Sequence, residues 1–260
     1  MIKSTNVQDA AQSLYLALRS GQPIAPLTET YAGLSINEAY DISIALHNMR
    51  LADGEHNIGK KIGITSEAVM NMLGVKQPDF GFLTNMMWAA DNVVDTSNMI
   101  APRAEAEIAF KLKTDLSGPG LTETDVLAAT ESVAACFEIV DSRVKDWKIK
   151  IQDTIADNAS CGSLAIGSDW VNPNVVDLLA CRAVVAKNGI FLSEGSGAAT
   201  LGSPLKAVAW LSNTLGERGI PFKAGEIILS GSLVPLEAVA AGDHMYVSIE
   251  GIGECEVNFT

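Results

Sequence analysis

The chain has 260 residues, with 18 Lys+Arg against 31 Asp+Glu and a formal net charge of −13. Hydrophobic residues make up 48% and charged residues 19%, a balance too apolar for intrinsic disorder. The acidic charge argues against a general nucleic-acid binder, which needs a basic face to release counterions, and no uncharged apolar run reaches the ~18 residues of a membrane span.

The first residues, up to Gln12, lack an apolar core of the signal-peptide kind, so no secretory signal is expected. Val7 to Arg19 then carries Ala10, Leu14 and Leu18 at helical spacing, and Ser20-Gly21-Gln22-Pro23 breaks the pattern. Ser35 and Glu38 have the spacing of a capping box. Behind them a helical pattern runs from Ile36 to about Ala52 and ends at Asp53-Gly54. Residues 1–56 therefore read as a small N-terminal helical lobe, and residues 57–260 as the catalytic domain.

From Asn57 onward short β-type runs alternate with turn residues. Strands are expected at Ile58–Ile64, Ala104–Leu112, Val133–Val140, Ser163–Ile166, Arg182–Lys187, Glu226–Ser230, Met245–Ile249 and Cys255–Phe259. Three later helices are expected, at Ser66–Leu73, Glu123–Thr130 and Pro204–Leu215. The regular alternation of βαβ units is missing, which disfavours a doubly wound parallel sheet. The expected class is α+β, with a mostly β core and a few helices outside. Cys136, Cys161, Cys181 and Cys255 are scattered without a CxxC pair. They signal neither a zinc knuckle nor a disulfide framework, and fit reduced thiols in a cytoplasmic protein.

The chemistry concentrates in a few segments. On a strand, Glu105 and Glu107 share one face, with Ala106, Ile108 and Phe110 on the other. On a water-exposed face their repulsion costs little. On a covered face it needs a cation or a shared proton. Glu138 lies inside the apolar run Phe137-Glu138-Ile139-Val140, and buried acids are paired or metal-bound. Three carboxylates without a His or Cys cluster are hard oxygen ligands, suited to Mg²⁺ or Mn²⁺ rather than zinc or copper.

Lys60 and Lys61 point to opposite faces of a glycine-flanked strand, one solvated and the other able to approach the acidic cluster. Gln77-Pro78-Asp79-Phe80-Gly81 reads as a turn, in which Asp79 either makes an Asx turn or serves as a general acid/base. Asp153 to Gly162 reads as an ordered loop or as a pocket wall of hydroxyls and amides. Gly195 to Gly202 lacks the spacing of a dinucleotide fingerprint. Ser230-Gly231-Ser232 is either a glycine turn or a source of backbone amides for an anion. His47, His56 and His244 are dispersed, and each reads as structural or solvent-facing.

Together these segments resemble the hydratase/decarboxylase branch of the fumarylacetoacetate hydrolase superfamily. The marks are the segments Gly59 to Ser66, Leu73 to Gly81 (with Gln77-Pro78-Asp79-Phe80-Gly81), Pro102 to Phe110 (with Glu105-Ala106-Glu107), Glu138 to Arg143, Asp153 to Gly162 (with Asp157-Asn158-Ala159-Ser160) and Leu229 to Pro235 (with Ser230-Gly231-Ser232). The likeness runs from Ala25 to the C-terminus. It implies a β-roll core, a homo-oligomer, and Mg²⁺ or Mn²⁺ on Glu105, Glu107 and Glu138. By motif position, Lys61 looks like the family's lysine, Asp79 like the acid of the hydratase turn, and Ser160 like the serine of the Asp-Asn-Ala-Ser stretch. The implied activity is addition of water to 2-hydroxypenta-2,4-dienoate, giving 4-hydroxy-2-oxopentanoate. The alternatives on this scaffold are decarboxylation of 4-oxalocrotonate, hydration of a longer 2-oxo-enoate, or a non-catalytic partner role. Asp79 favours the hydratases, since the decarboxylases' turn tends to lack the acid. The run Asp146 to Lys150 favours the five-carbon monocarboxylate. A complex with a 4-oxalocrotonate decarboxylase is a further implication.

Overall fold

Helix α1 (Val7–Ser20) starts where the Asn6 side chain accepts hydrogen bonds from the amides of Gln8 and Asp9, and stops at Gly21 in the left-handed region. After the single turn α2 (Leu27–Thr30), α3 (Ile36–Ala52) begins on the expected capping box: Ser35 Oγ accepts from Glu38 N, and Glu38 accepts from Ser35 N. The computed structural model describes residues 6–66, 69–71 and 74–260, so the helix expected at Ser66–Leu73 lies partly outside the described residues. The later helices are α4 (Glu123–Ala129), α5 (Ile151–Ala156) and α6 (Pro204–Gly216).

The strands are β1 (Asn57–Gly63), β2 (Asp79–Thr84), β3 (Val93–Val94), β4 (Arg103–Leu112), β5 (Thr130–Val140), β6 (Cys161–Ile166), β7 (Arg182–Lys187), β8 (Ile190–Ser196), β9 (Ile227–Leu229), β10 (Glu237–Ala238), β11 (His244–Ile249) and β12 (Gly253–Phe259). They form two mixed sheets. The larger has the order β2-β1-β9-β4-β5-β6, with β10 added to β4; the smaller runs β3-β12-β11-β7-β8. Among the named strands of the described residues, only β1–β9 and β12–β3 pair in parallel. The class is α+β with a mostly β core, as expected.

Strand alternation divides the large sheet into two faces. One face carries Ile62, Phe80, Phe82, Ile108 and Phe137 into the main core. At one end it meets α3, where Tyr40 stacks on Phe80 and His47 on Phe82. At the other end β5 packs on β12 and β11 of the smaller sheet. The opposite face carries a smaller apolar cluster, with Leu83, Ala109, Cys136 and Leu229. It also carries the acidic residues.

Several expectations are corrected. Asp79 opens strand β2 rather than sitting in a turn; all six β2 residues are buried, so no period-two pattern marks the strand. The expected loop from Asp153 holds the end of α5 and a tight turn, and β6 starts already at Cys161. Neither lysine of β1 is solvated. Lys60 is buried, hydrogen-bonded to Glu226 and set against the Phe222 ring. The glutamate was not visible as its partner because it lies 166 residues away.

Candidate metal centre and active site

Strand register assembles the acidic cluster. Glu105 and Glu107 are two residues apart on β4, and Glu138 on β5 sits directly across from Glu105. Like charges facing each other across a ladder repel. One oxygen from each of the three lies within 4.8 Å of the others. Glu107 and Glu138 are fully buried and Glu105 is half-buried, so the face is covered. Glu107 Oε2 accepts a hydrogen bond from the Gly231 amide at 2.8 Å, while its Oε1 has no partner. The Ser230-Gly231-Ser232 turn thus gives a backbone amide to an anion that belongs to the chain itself. Burial, and next to it the Glu138 charge, pushes the Glu105 carboxyl up to about 7 and raises Glu107 strongly.

Lys61 extends from β1 over the same face. Its Nζ lies 3.0 Å from Glu138 Oε1. Burial lowers the Lys61 pKa, but Glu138 and Asp79 outweigh it and leave it raised, so the ammonium stays charged. Asp79 on β2 is paired with Gly63 on β1 and so faces the same side. Burial holds its carboxyl above the usual range, against the pull of Lys61. Thr154 Oγ1 donates to Asp79 Oδ2 at 3.1 Å, and Oδ1 is left without a partner. Gly63 makes room for this pair: a Cβ there would lie 2.4 Å from Asp79 Oδ1 and 3.3 Å from Lys61 Nζ.

Ser160 belongs to a turn in which Asn158, Ala159 and Ser160 all have φ near +50°, a region costly for residues other than glycine. Buried groups hold it there. Arg143 Nε bonds Asp157 Oδ1 at 2.5 Å, and Arg143 NH1 donates to Cys161 O at 3.0 Å. The Asn158 side chain bonds both backbone groups of Phe82, at 2.8 and 3.0 Å, closing the outer edge of β2. Gly81 lets the turn lie on the sheet, since a Cβ there would meet Asn158 O at 2.5 Å. Ser160 Oγ donates to Asp157 Oδ2 at 3.3 Å, which leaves its lone pairs free.

Lys61, Asp79, Glu105, Glu107 and Ser160 line one cavity of about 470 Å³, and Glu138 reaches it through Lys61. A cleft of about 660 Å³ near Lys111, Trp170 and Glu226 contains none of them. Among the described residues no histidine lines the cavity; His47 is buried against Phe82, and burial lowers its pKa to about 4. Arg103, Trp147 and Thr154 also face the cavity. Roles for them are not signalled by residue type. The one sequence signal is spacing: Arg103 is two residues before Glu105 and shares its strand face.

Comparison with known proteins adds to this geometry. The family described as "Fumarylacetoacetate (FAA) hydrolase C-terminal" matches residues 70–260. The chain is 55% identical over 257 residues to the 2-hydroxyhexa-2,4-dienoate hydratase of Comamonas testosteroni, covering 98% of this chain and 97% of that protein. It is 55% identical over 218 residues to the 2-hydroxypent-2,4-dienoate hydratase of Pseudomonas putida, covering 83% and 98%. Its fold superposes on the 4-oxalocrotonate decarboxylase of Pseudomonas putida G7, solved with magnesium and adipate, with a TM-score of 0.95, 35% identity and coverage of 99% and 100%.

Proposed function

The chain belongs to the fumarylacetoacetate hydrolase family, and from that premise we propose that it is a hydro-lyase. It adds water to 2-hydroxypenta-2,4-dienoate to give 4-hydroxy-2-oxopentanoate, in the catabolism of aromatic compounds by meta-cleavage. The observation that carries this reading is the meeting of two different acidic devices in one cavity. One is a three-carboxylate cluster; the other is a separate buried acid, Asp79, beside a charged lysine.

Glu105, Glu107 and Glu138 fit a divalent cation. All donors are hard oxygens, they converge, and Glu107 Oε1 is buried without a partner. We assign the cluster to Mg²⁺ or Mn²⁺. When bound, the ion supplies a Lewis acid for the substrate 2-oxygen. The chain's own groups do the rest. Lys61 keeps a positive charge beside Glu138 and offsets the cluster. Asp79, a carboxyl with a raised pKa and one free oxygen, gives and takes the proton at the substrate carbons. Ser160, its proton committed to Asp157, accepts a hydrogen bond from the attacking water.

We further propose that residues 1–56 form a lobe that buttresses this site through α3, and that the enzyme is a cytoplasmic homo-oligomer working beside a 4-oxalocrotonate decarboxylase. Four free thiols support the compartment, and the exposed Met86, Ile190 and Phe191 support association. No helix among the described residues is long and apolar enough to cross a membrane.

An ultraviolet assay with freshly generated 2-hydroxypenta-2,4-dienoate tests the activity. The dienol absorbance should decay with Mg²⁺ or Mn²⁺, stop after chelation, and leave a product heavier by one water. Glu107→Gln should weaken metal affinity in calorimetry by at least ~10-fold, in line with the loss of one anionic ligand. Carbon dioxide release from 4-oxalocrotonate without hydration of the dienoate would instead assign the chain to decarboxylation.

A further inference from the structure

We propose that Arg103 binds the substrate carboxylate, that Trp147 is the positioning residue for its guanidinium, and that the pair selects monocarboxylates over dicarboxylates. This rests on the reading of the substrate as a 2-hydroxy-dienoate.

Arg103 is the first residue of β4, and Arg103, Glu105 and Glu107 follow one another on one face. The arginine therefore stands one strand repeat outward from the acidic cluster, roughly 7 Å along the strand. Among the described residues, two cations line the cavity, Lys61 and Arg103. Lys61 is engaged by Glu138. Arg103 has no ion-pair partner among the described residues.

The guanidinium is nevertheless held in place. Its carbon lies 4.5 Å from the centre of the Trp147 ring. Stacking occupies the face of a guanidinium and leaves the N–H groups at its edge free for a carboxylate. Trp147 is itself fixed, with Nε1 donating to Ala101 O at 3.0 Å. The Asp141 carboxylate in turn accepts from the amides of Ala101 at 2.7 Å and Ile100 at 3.0 Å. Asp141 lies three residues beyond Glu138, so one chain segment anchors both the acidic cluster and the clamp.

The rest of the wall decides the selectivity. Beside the hydroxyls of Thr65, Ser66 and Ser232, Ile64, Val69, Leu233 and Val234 present hydrocarbon, and no further cation among the described residues lines this wall. A ligand with one carboxylate and an uncharged tail fits this division. A second carboxylate would be desolvated against the apolar wall without a partner cation, which is costly.

The test is calorimetric titration of the magnesium-loaded protein with 2-oxopentanoate, with 2-oxopentanamide and with 2-oxohexanedioate. The wild type should bind the monoacid more tightly than the diacid. Arg103→Met should weaken binding of the acid by roughly 10- to 100-fold, the range for a charge-assisted contact. It should leave the amide and Mg²⁺ affinities unchanged, which also shows that the variant is folded. Trp147→Leu should weaken acid binding in the same direction, and Trp147→Phe should restore it by keeping an aromatic face. Arg103→Met binding the acid like the wild type, or losing acid and amide together, overturns the carboxylate role. Equal loss in Trp147→Leu and Trp147→Phe overturns the positioning role, and tighter binding of the diacid overturns the selectivity. A wild type that binds neither acid nor amide is a different failure. It removes the hydratase reading, and the clamp with it, before any variant is compared.

Discussion

At the scale of single residues, Asp79 and Lys61 differ in a way their residue types do not show. Both are fully buried, yet Lys61 lies against carboxylates and keeps its charge, while burial raises the Asp79 pKa. The acid is thereby suited to carry a proton and the lysine to carry a charge. Asp79→Asn keeps the shape and can keep the contact with Thr154, but it cannot exchange the proton. Turnover of the dienoate should fall roughly 10²- to 10⁴-fold, the usual contribution of a general acid/base. Metal affinity should stay at the wild-type value, because Asp79 lies outside the three-carboxylate cluster. Steady-state kinetics and a metal titration on the same preparation check both halves. Near-normal turnover would remove Asp79 from the proton transfer.

At the scale of elements, the site depends on a turn that works against its own backbone preference. Asn158, Ala159 and Ser160 hold positive φ in succession, and the Asn158 amide ties them to the edge of β2 through both backbone groups of Phe82. Asn158→Ala removes both bonds and leaves a buried N–H and C=O unmatched. The cost should be about 2–4 kcal/mol in urea unfolding, from the penalty for buried unsatisfied groups. A loss below about 0.5 kcal/mol would show that the turn is held by Arg143 and Asp157 alone, as surface-like substitutions cost no more than that. The same region marks the limit of what the sequence makes legible. Glu105, Glu107 and Glu138 can be read from alternation and from an acid inside an apolar run, because strand geometry is local. β2 cannot be read, because it is buried on both faces and lacks a period. Nor can the partner of Lys60, or the seat of the turn on Gly81, because these arise only when distant segments meet.

At the scale of the whole molecule, the chain carries a net charge of −13, and three of its carboxylates converge on one sheet face. Without a cation that cluster is a local cost, seen in the raised Glu105 and Glu107 pKa values. With one, β4 and β5 are crosslinked through their side chains. A ligand that binds only the folded state stabilises it by about 2.7 kcal/mol at a hundred times its dissociation constant. For a chain of this size that is a rise in melting temperature of roughly 5–10 °C, at about 2–4 °C per kcal/mol. Mg²⁺ or Mn²⁺ should produce that rise, and a chelator should reverse it. Glu107→Gln should behave oppositely in the two states. It should melt below the wild type when metal is present, because a ligand is lost. In chelator it should melt no lower than the wild type, because one member of a repelling cluster is neutral. Crossing melting curves in differential scanning calorimetry are therefore the signature of a metal centre. A wild-type melt that ignores both metal and chelator would mean that the three carboxylates do not hold an ion in the folded protein. A variant that melts lower under both conditions would mean that Glu107 serves the fold through its bond to Gly231 rather than through a metal.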